Sequence, residues 1–158
     1  MVALTGYTGV FGGQTTAVDT EKKHELGTRS FDVNGNEYIY LTGVASTGAG
    51  SWVTFDELHI TALAEANAKG RIAIAMAATV ASTYGWYQIY GKNTVALCAT
   101  AVADNGILYL TATAGRVDDT DVAGDLILGA IARAATAGDG ATMTVELNYP
   151  HVDDSADD

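Results

Sequence analysis

The strongest candidate for chemistry in the sequence is a run of carboxylates near residue 120. Calcium-binding loops place Asp at alternate positions and glycine at the sixth, and a loop counted from Asp119 has Asp121 third and Gly124 sixth. Its twelfth residue, however, is Ala130, where an EF-hand requires a bidentate Glu. The pattern therefore predicts a solvated acidic turn over Asp118–Asp125, with weak cation binding as the alternative.

No other set of residues has the spacing that catalysis or metal binding requires. The histidines His24, His59 and His151 lie far apart in the sequence and lack a metal-ligand spacing. Cys98, the only cysteine, follows an apolar strand pattern that is typical of a small buried group and allows no internal disulfide. Nucleophile-elbow, dinucleotide-binding and Walker motifs are absent. We therefore expect no catalytic residues, no metal and no cofactor, and we predict that the protein is not an enzyme.

The elements that would position any site read as short strands joined by glycine turns. Asn34-Gly35 separates 31–33 from 37–42 and predicts a hairpin with a type I′ turn. In 71–77, isoleucine and methionine alternate with alanine, which predicts a strand buried on both faces. Further strand patterns lie at 52–55, 85–91, 95–100, 107–113, 126–132 and 142–148.

The one segment with a helical interpretation is 58–69, which Gly70 would terminate. All remaining elements favour strands, and small residues are abundant, with 18 glycines and one proline. The sequence thus predicts an all-β fold, namely a small antiparallel β-barrel or β-sandwich with an extended N-terminal arm.

Aromatic residues fall within the strand patterns, where core and sheet packing is the usual role. An alternative is that they line a sugar-binding face. The residues in question are Tyr38, Tyr40, Trp52, Trp86, Tyr87 and Tyr90.

The charge is acidic and unevenly distributed. Eight basic residues face 19 acidic ones, which gives a net charge of −11, and residues 1–30 are neutral, so the remainder carries all of the excess. This charge disfavours nucleic acid and anionic membranes as partners. The pattern predicts an extended arm over 1–28, a β-rich body over 29–150 and an acidic tail over 151–158.

The first residues combine glycines with large apolar side chains, a composition that suits neither a lone helix nor a lone strand. We expect a partner or a neighbouring subunit to order this arm by strand pairing. From composition, Tyr7, Val10 and Phe11 are the apolar side chains predicted to contact that partner or subunit.

Four runs of sequence resemble the capsid decoration, or head-stabilising, proteins of tailed bacteriophages. These are HELGTRSFDVNGNEYIYLTGVASTGAGSWVTFDE at 24–57, AATVASTYGWYQIYG at 77–91, TAGRVDDTDVAGDLILGAIARAAT at 113–136 and NYPHV at 148–152. The resemblance implies a β-rich homo-oligomer that sits on the outer capsid surface of the virion after synthesis in the host cytoplasm. It implies that the partner is the major capsid protein, whose subunit contacts the bound protein would stabilise.

Three alternatives remain open on the residues alone. The first is another virion part, such as a head-fibre or tail subunit. The second is a carbohydrate-binding β module, and the third is an enzyme, for which no pair of ionisable residues is apparent.

Overall fold

The computed structural model describes residues 14–152, and every regular element in that range is a β-strand. Those residues contain no helix that could cross a membrane. The predicted all-β class is confirmed. The strands are β1 (Val18–Asp19), β2 (Arg29–Phe31), β3 (Glu37–Thr42), β4 (Trp52–Phe55), β5 (Thr61–Leu63), β6 (Gly70–Ala75), β7 (Tyr84–Leu97), β8 (Ile107–Leu110), β9 (Val117–Asp118), β10 (Leu126–Ala132) and β11 (Thr142–Val152).

The strands form one antiparallel sheet that is organised around its two longest members, β7 and β11. The first half of β7 pairs with β3 and β6, whereas its second half pairs with β11. β11 also pairs with β10 and, at its end, with the start of β6. The sheet fits the sandwich-like alternative, and over residues 14–152 it does not close into a barrel.

β6 is buried on both faces, as its alternating sequence predicts. Ile72 and Ile74 belong to the main apolar cluster, which also contains Trp52, Leu108 and Val145. Ala73 and Ala75, which alternate with these isoleucines, belong to a second cluster, built around β3 and the first half of β7. Small side chains on one face and large ones on the other allow a central strand to separate two cores.

The hairpin between β2 and β3 is confirmed, but its predicted type I′ turn is wrong. A type I′ turn needs positive φ at both central residues, whereas only Gly35 has it, at 82°. The cause is Asp32, whose Oδ1 accepts hydrogen bonds from the backbone N–H groups of Asn34 and Asn36 at 2.8 and 3.0 Å. This side chain supports a longer turn, which Gly35 closes.

The helix predicted over 58–69 is wrong. The segment contains β5, and His59 and Asn67 each have a φ of 64°, which a right-handed helix does not allow. Asp56 Oδ1 accepts hydrogen bonds from the N–H groups of Leu58 and Ile60, both at 2.9 Å. Together with the backbone hydrogen bonds between Asp56 and residues His59 and Ile60, they close a turn that leads into β5.

β7 joins two segments that the sequence suggested as separate strands. Gly91 lies at the bend with a φ of 91°. Behind the bend, the buried Gln88 donates to the carbonyls of Tyr90 and Lys92 at 3.0 Å, and Asn93 donates to Gln88 Oε1 at 2.9 Å. This network satisfies the polar groups that the bend exposes, so that one strand can serve both halves of the sheet.

Residues 14–28, predicted as part of the arm, pack against the protein's own body. Asp19 lies in β1, which pairs with the start of β7, and its carboxylate accepts a 2.8 Å hydrogen bond from Tyr40. His24 packs against the rings of Tyr40 and Trp86 at 5.0 and 5.3 Å. At the other end of the chain, β11 continues through His151 and Val152 into the predicted tail.

Candidate functional site

The predicted contact residues Tyr7, Val10 and Phe11 lie outside the described residues, so their role stays a prediction. The four aspartates of the predicted tail follow Val152 and also lie outside the described residues.

The acidic turn over Asp118–Asp125 does not gather its carboxylates around one point. Asp118 and Asp125 are buried, and Asp125 Oδ1 accepts a 2.6 Å hydrogen bond from the N–H of Asn67. Asp119 is half-buried and accepts a 2.8 Å hydrogen bond from the N–H of Ala103. Between residues 14 and 152, no three potential ligands are grouped closely enough to hold a metal ion. These carboxylates act as structural acceptors for backbone N–H groups.

The histidines and the cysteine do not form a catalytic group. His24 packs on the Tyr40 ring, His59 packs on the Phe55 ring, and His151 is an exposed residue of β11. Cys98 is buried in the main core, and its thiol contacts the carbonyl oxygens of Gly138 and Ala141 at 3.3 and 3.2 Å. The prediction of a small buried group is confirmed for Cys98.

The six aromatic residues considered for sugar binding do not form an exposed row. Five of them are core residues, namely Tyr38, Tyr40, Trp52, Trp86 and Tyr87. Tyr90 is the exception, with 40% of its surface exposed. Its partner is Tyr149, which is 47% exposed, and the two rings pack with centroids 5.3 Å apart at an angle of 33°.

This tyrosine pair is held in place by a buried acid. Glu37, only 3% exposed, accepts a 2.6 Å hydrogen bond from the Tyr149 hydroxyl at Oε2 and a 3.2 Å hydrogen bond from Arg29 at Oε1. The hydrogen bond to Glu37 is the main reason why the pKa of Tyr149 is raised, with burial and the carboxylate charge acting in the same direction. Arg29 also lies 5.8 Å from the centre of the Tyr149 ring. Glu37 therefore anchors the Tyr149 ring, and Tyr90 packs against that ring.

Cations and apolar groups flank the pair on both sides. A small cleft beside Tyr149 is also lined by Arg29, Arg71, Phe55, Ile72, Ile89 and Pro150. An open groove of about 550 Å³ beside Tyr90 is also lined by Lys92, Arg133 and the Thr144–Asn148 stretch of β11. We name this surface the tyrosine face and define it by Tyr90, Tyr149, Arg29, Arg71, Lys92 and Arg133.

Two of these cations have no carboxylate partner among residues 14–152. The Arg71 guanidinium lies 4.5 Å from the centre of the Phe55 ring and donates to the carbonyl of Asp56. Lys92 lies opposite Glu146 in the sheet, but that carboxylate pairs with Arg133 at 2.8 Å. The chain has 11 excess negative charges, so two cations without a carboxylate partner, one on either side of an aromatic pair, distinguish this surface from the rest of the protein.

No family model, curated protein or solved structure matches this chain.

The function of the tyrosine face must therefore be inferred from its own chemistry. It is open, and its buried carboxylate, Glu37, is occupied by Tyr149 and Arg29. Its exposed groups are the two tyrosines, the cations and Glu146, which pairs with Arg133. Such a surface can bind a partner through ring packing and charge-assisted hydrogen bonds.

Sequence reasoning missed this surface because the strand period breaks at Tyr149. Met143, Val145 and Leu147 are buried, so a strict period of two would place residue 149 in the core. Tyr149 instead has a φ of 50°, which shifts the alternation by one residue and directs the ring outward. The Tyr-Pro pair at the end of an alternating strand is the only local sign of this break, since proline disfavours regular strand pairing.

Proposed function

We propose that this protein is a structural virion protein of a tailed phage that binds the outer capsid surface and stabilises contacts between major capsid protein subunits. The observation that carries the proposal is the tyrosine face, an exposed aromatic pair held rigidly by the buried Glu37 and flanked by cations. Rigid aromatic groups bordered by arginines are typical of protein interfaces, because little side-chain entropy is lost when they bind. The four sequence runs that resemble decoration proteins support the same function.

The use of the buried acids also favours a structural role over catalysis. Asp19, Glu37, Asp118 and Asp125 each accept hydrogen bonds from backbone or side-chain donors within the fold. A general acid or base must instead reach a substrate from a pocket. The described residues thus use their buried carboxylates to fix loops and strands.

A decoration protein binds its capsid through many weak contacts rather than through a single tight one. Each copy would contact the capsid through its tyrosine face and through Tyr7, Val10 and Phe11, and it would associate with further copies as a homo-oligomer. Several weak contacts that form together give high avidity without new chemistry. The remaining acidic surface would keep the decorated particle soluble and free of stray nucleic acid.

The test is whether the protein stabilises capsids against internal pressure. DNA-filled heads that lack this protein are heated with and without added protein, and DNA release is followed with an intercalating dye. We expect the protein to raise the temperature of DNA release. A Tyr7→Ser/Val10→Ser/Phe11→Ser variant and a Tyr90→Ser/Tyr149→Ser variant should each give less protection. An unchanged release temperature with wild-type protein would contradict the proposal.

A further inference from the structure

The tyrosine face has a charge pattern that selects one kind of partner. Arg71 and Lys92 are exposed and lack a carboxylate partner within residues 14–152, although acidic residues outnumber basic ones by 11 in the whole chain. Unpaired cations in such a protein attract carboxylates from elsewhere. The other two cations of the face, Arg29 and Arg133, are already bonded to Glu37 and Glu146.

The register of the sheet gives the distance between the two unpaired cations. Arg71 lies opposite His151 and Lys92 lies opposite Glu146, so five residues of β11 separate the two positions. At about 3.3 Å per residue, this corresponds to about 16 Å along the strand. The side chains of an extended peptide alternate between its two faces, so two carboxylates that face one surface must stand at an even spacing. Residues i and i+4 lie about 13 Å apart, and the long side chains of Arg71 and Lys92 cover the difference.

The surface between the two cations suits an extended chain. Tyr90 and Tyr149 lie there with their rings partly exposed, and the groove beside Tyr90 is open along β11. Aromatic rings contact the backbone and side chains of an extended segment without requiring a particular sequence. The phosphates of a nucleic acid would also reach the cations, but the acidic remainder of the protein repels a long polyanion.

We propose that the tyrosine face binds an extended acidic peptide segment of a partner protein, with one carboxylate at Arg71, a second four residues away at Lys92 and the intervening chain against Tyr90 and Tyr149. This inference deepens the proposed function and rests on it, because it identifies the chemistry that the capsid surface would present. The segment is an exposed strand or loop with acidic residues at positions i and i+4, which lie on one face of an extended chain.

The experiment uses the peptide Asp-Thr-Val-Thr-Asp, blocked at both ends, and the full-length ¹⁵N-labelled protein in an NMR titration. We expect saturable shifts centred on Tyr90 and Tyr149, with a dissociation constant of about 1 mM or below. The amide peptide Asn-Thr-Val-Thr-Asn should bind at least tenfold more weakly. Arg71→Gln and Lys92→Gln should each weaken binding of the acidic peptide at least threefold.

Lys22→Gln is the matched control, because it removes one exposed positive charge away from the face. It should leave peptide affinity unchanged. Equal binding of the acidic and amide peptides, an equal loss in Lys22→Gln, or shifts centred elsewhere would overturn the inference. Tighter binding of an oligothymidylate of six nucleotides at the same residues would also overturn it, because the face would then recognise the phosphates of a nucleic acid.

Failure of this inference is distinguishable from failure of the proposed function. If wild-type protein and the Arg71→Gln/Lys92→Gln variant bind phage heads equally well, decoration stands and the acidic-peptide site is wrong. If the peptide binds as expected but wild-type protein does not bind heads, the site stands and the proposed capsid partner is wrong.

Discussion

The hydroxyl of Tyr149 donates a 2.6 Å hydrogen bond to Glu37 Oε2, which links β11 to β3 across 112 positions of sequence. The other carboxylate oxygen of Glu37 accepts a 3.2 Å hydrogen bond from Arg29. One buried acid therefore orients both a ring and a guanidinium of the tyrosine face. The consequences of this contact can be measured separately for the stability of the fold and for the geometry of the face.

We expect Glu37→Gln to lower the free energy of unfolding by about 1–3 kcal/mol, because the buried charge-assisted hydrogen bonds are lost or weakened. Urea unfolding at neutral pH measures the change. The pKa of Tyr149, which Glu37 raises, should fall toward its ordinary value of 10.0 in a spectrophotometric titration. Glu57→Gln, at an exposed position, is the control and should change neither quantity. An unchanged pKa of Tyr149 would show that Glu37 does not hold the ring.

Asp19 should make the attachment of residues 14–28 dependent on pH. Burial alone would raise the pKa of Asp19, but hydrogen bonds from Lys23 and Tyr40 outweigh that effect and hold the pKa below its ordinary value of 3.8. A lowered pKa in the folded state adds stability above the unfolded-state pKa, and this stability is lost as the pH falls through the folded-state pKa. At neutral pH, Asp19→Asn should therefore be less stable than wild type.

The check is to measure urea unfolding of wild type and Asp19→Asn at neutral pH and at several values below 3.8. The difference between the two proteins should shrink steadily as the pH falls, because Asp19 becomes neutral in wild type as well. Lys23→Gln should reproduce part of the loss at neutral pH, since its ammonium lies 2.6 Å from Asp19 Oδ1. A difference that stays constant with pH would argue against an ionic role for Asp19.

A side chain at Gly91 of β7 should be strongly destabilising. The φ of Gly91 is 91°, and a Cβ atom there would lie 2.2 Å from Asn36 Oδ1, which accepts a hydrogen bond from the N–H of Lys92. We expect Gly91→Ala to cost more than about 2 kcal/mol. Gly35→Ala is the control, because its φ of 82° is similar but no atom lies within 4 Å of the added Cβ; it should cost only about 1 kcal/mol. Equal losses in chemical denaturation would contradict the steric explanation.

The two Val-Ala-Ser-Thr segments at 44–47 and 80–83 form the same turn. In each, the threonine N–H and Oγ1 both donate to the valine carbonyl, and Ser46 and Ser82 have φ values of 66° and 63°. Since left-handed serine is strained, Ser82→Gly should raise stability by up to about 1 kcal/mol. Ser82→Ala retains the strain and should give no gain. A lower thermal midpoint for the glycine variant would refute the expectation.

Part of the fold could be predicted from the sequence. Local chemistry was sufficient where a short segment decides its own structure, as in the alternating strand β6 and the hairpin before Glu37. Local sequence was insufficient to predict the structure where a side chain distant in sequence forms the deciding contact. Asn36 lies 56 residues before Lys92 and supports the bend at Gly91 by accepting a hydrogen bond from the Lys92 N–H. The outward-facing Tyr149 is held by its hydrogen bond to Glu37. The tyrosine face lies at both of these irregularities, so strand periodicity could not predict it.

The most direct test of the account is co-sedimentation of the purified protein with expanded phage heads from which this protein has been removed. We predict saturable binding at a fixed ratio to the major capsid protein, and that ratio would report the symmetry of the binding sites. Binding should weaken in Tyr90→Ser/Tyr149→Ser and should be retained in Lys22→Gln. Absence of wild-type protein from the pelleted heads at any concentration would contradict a role on the capsid surface.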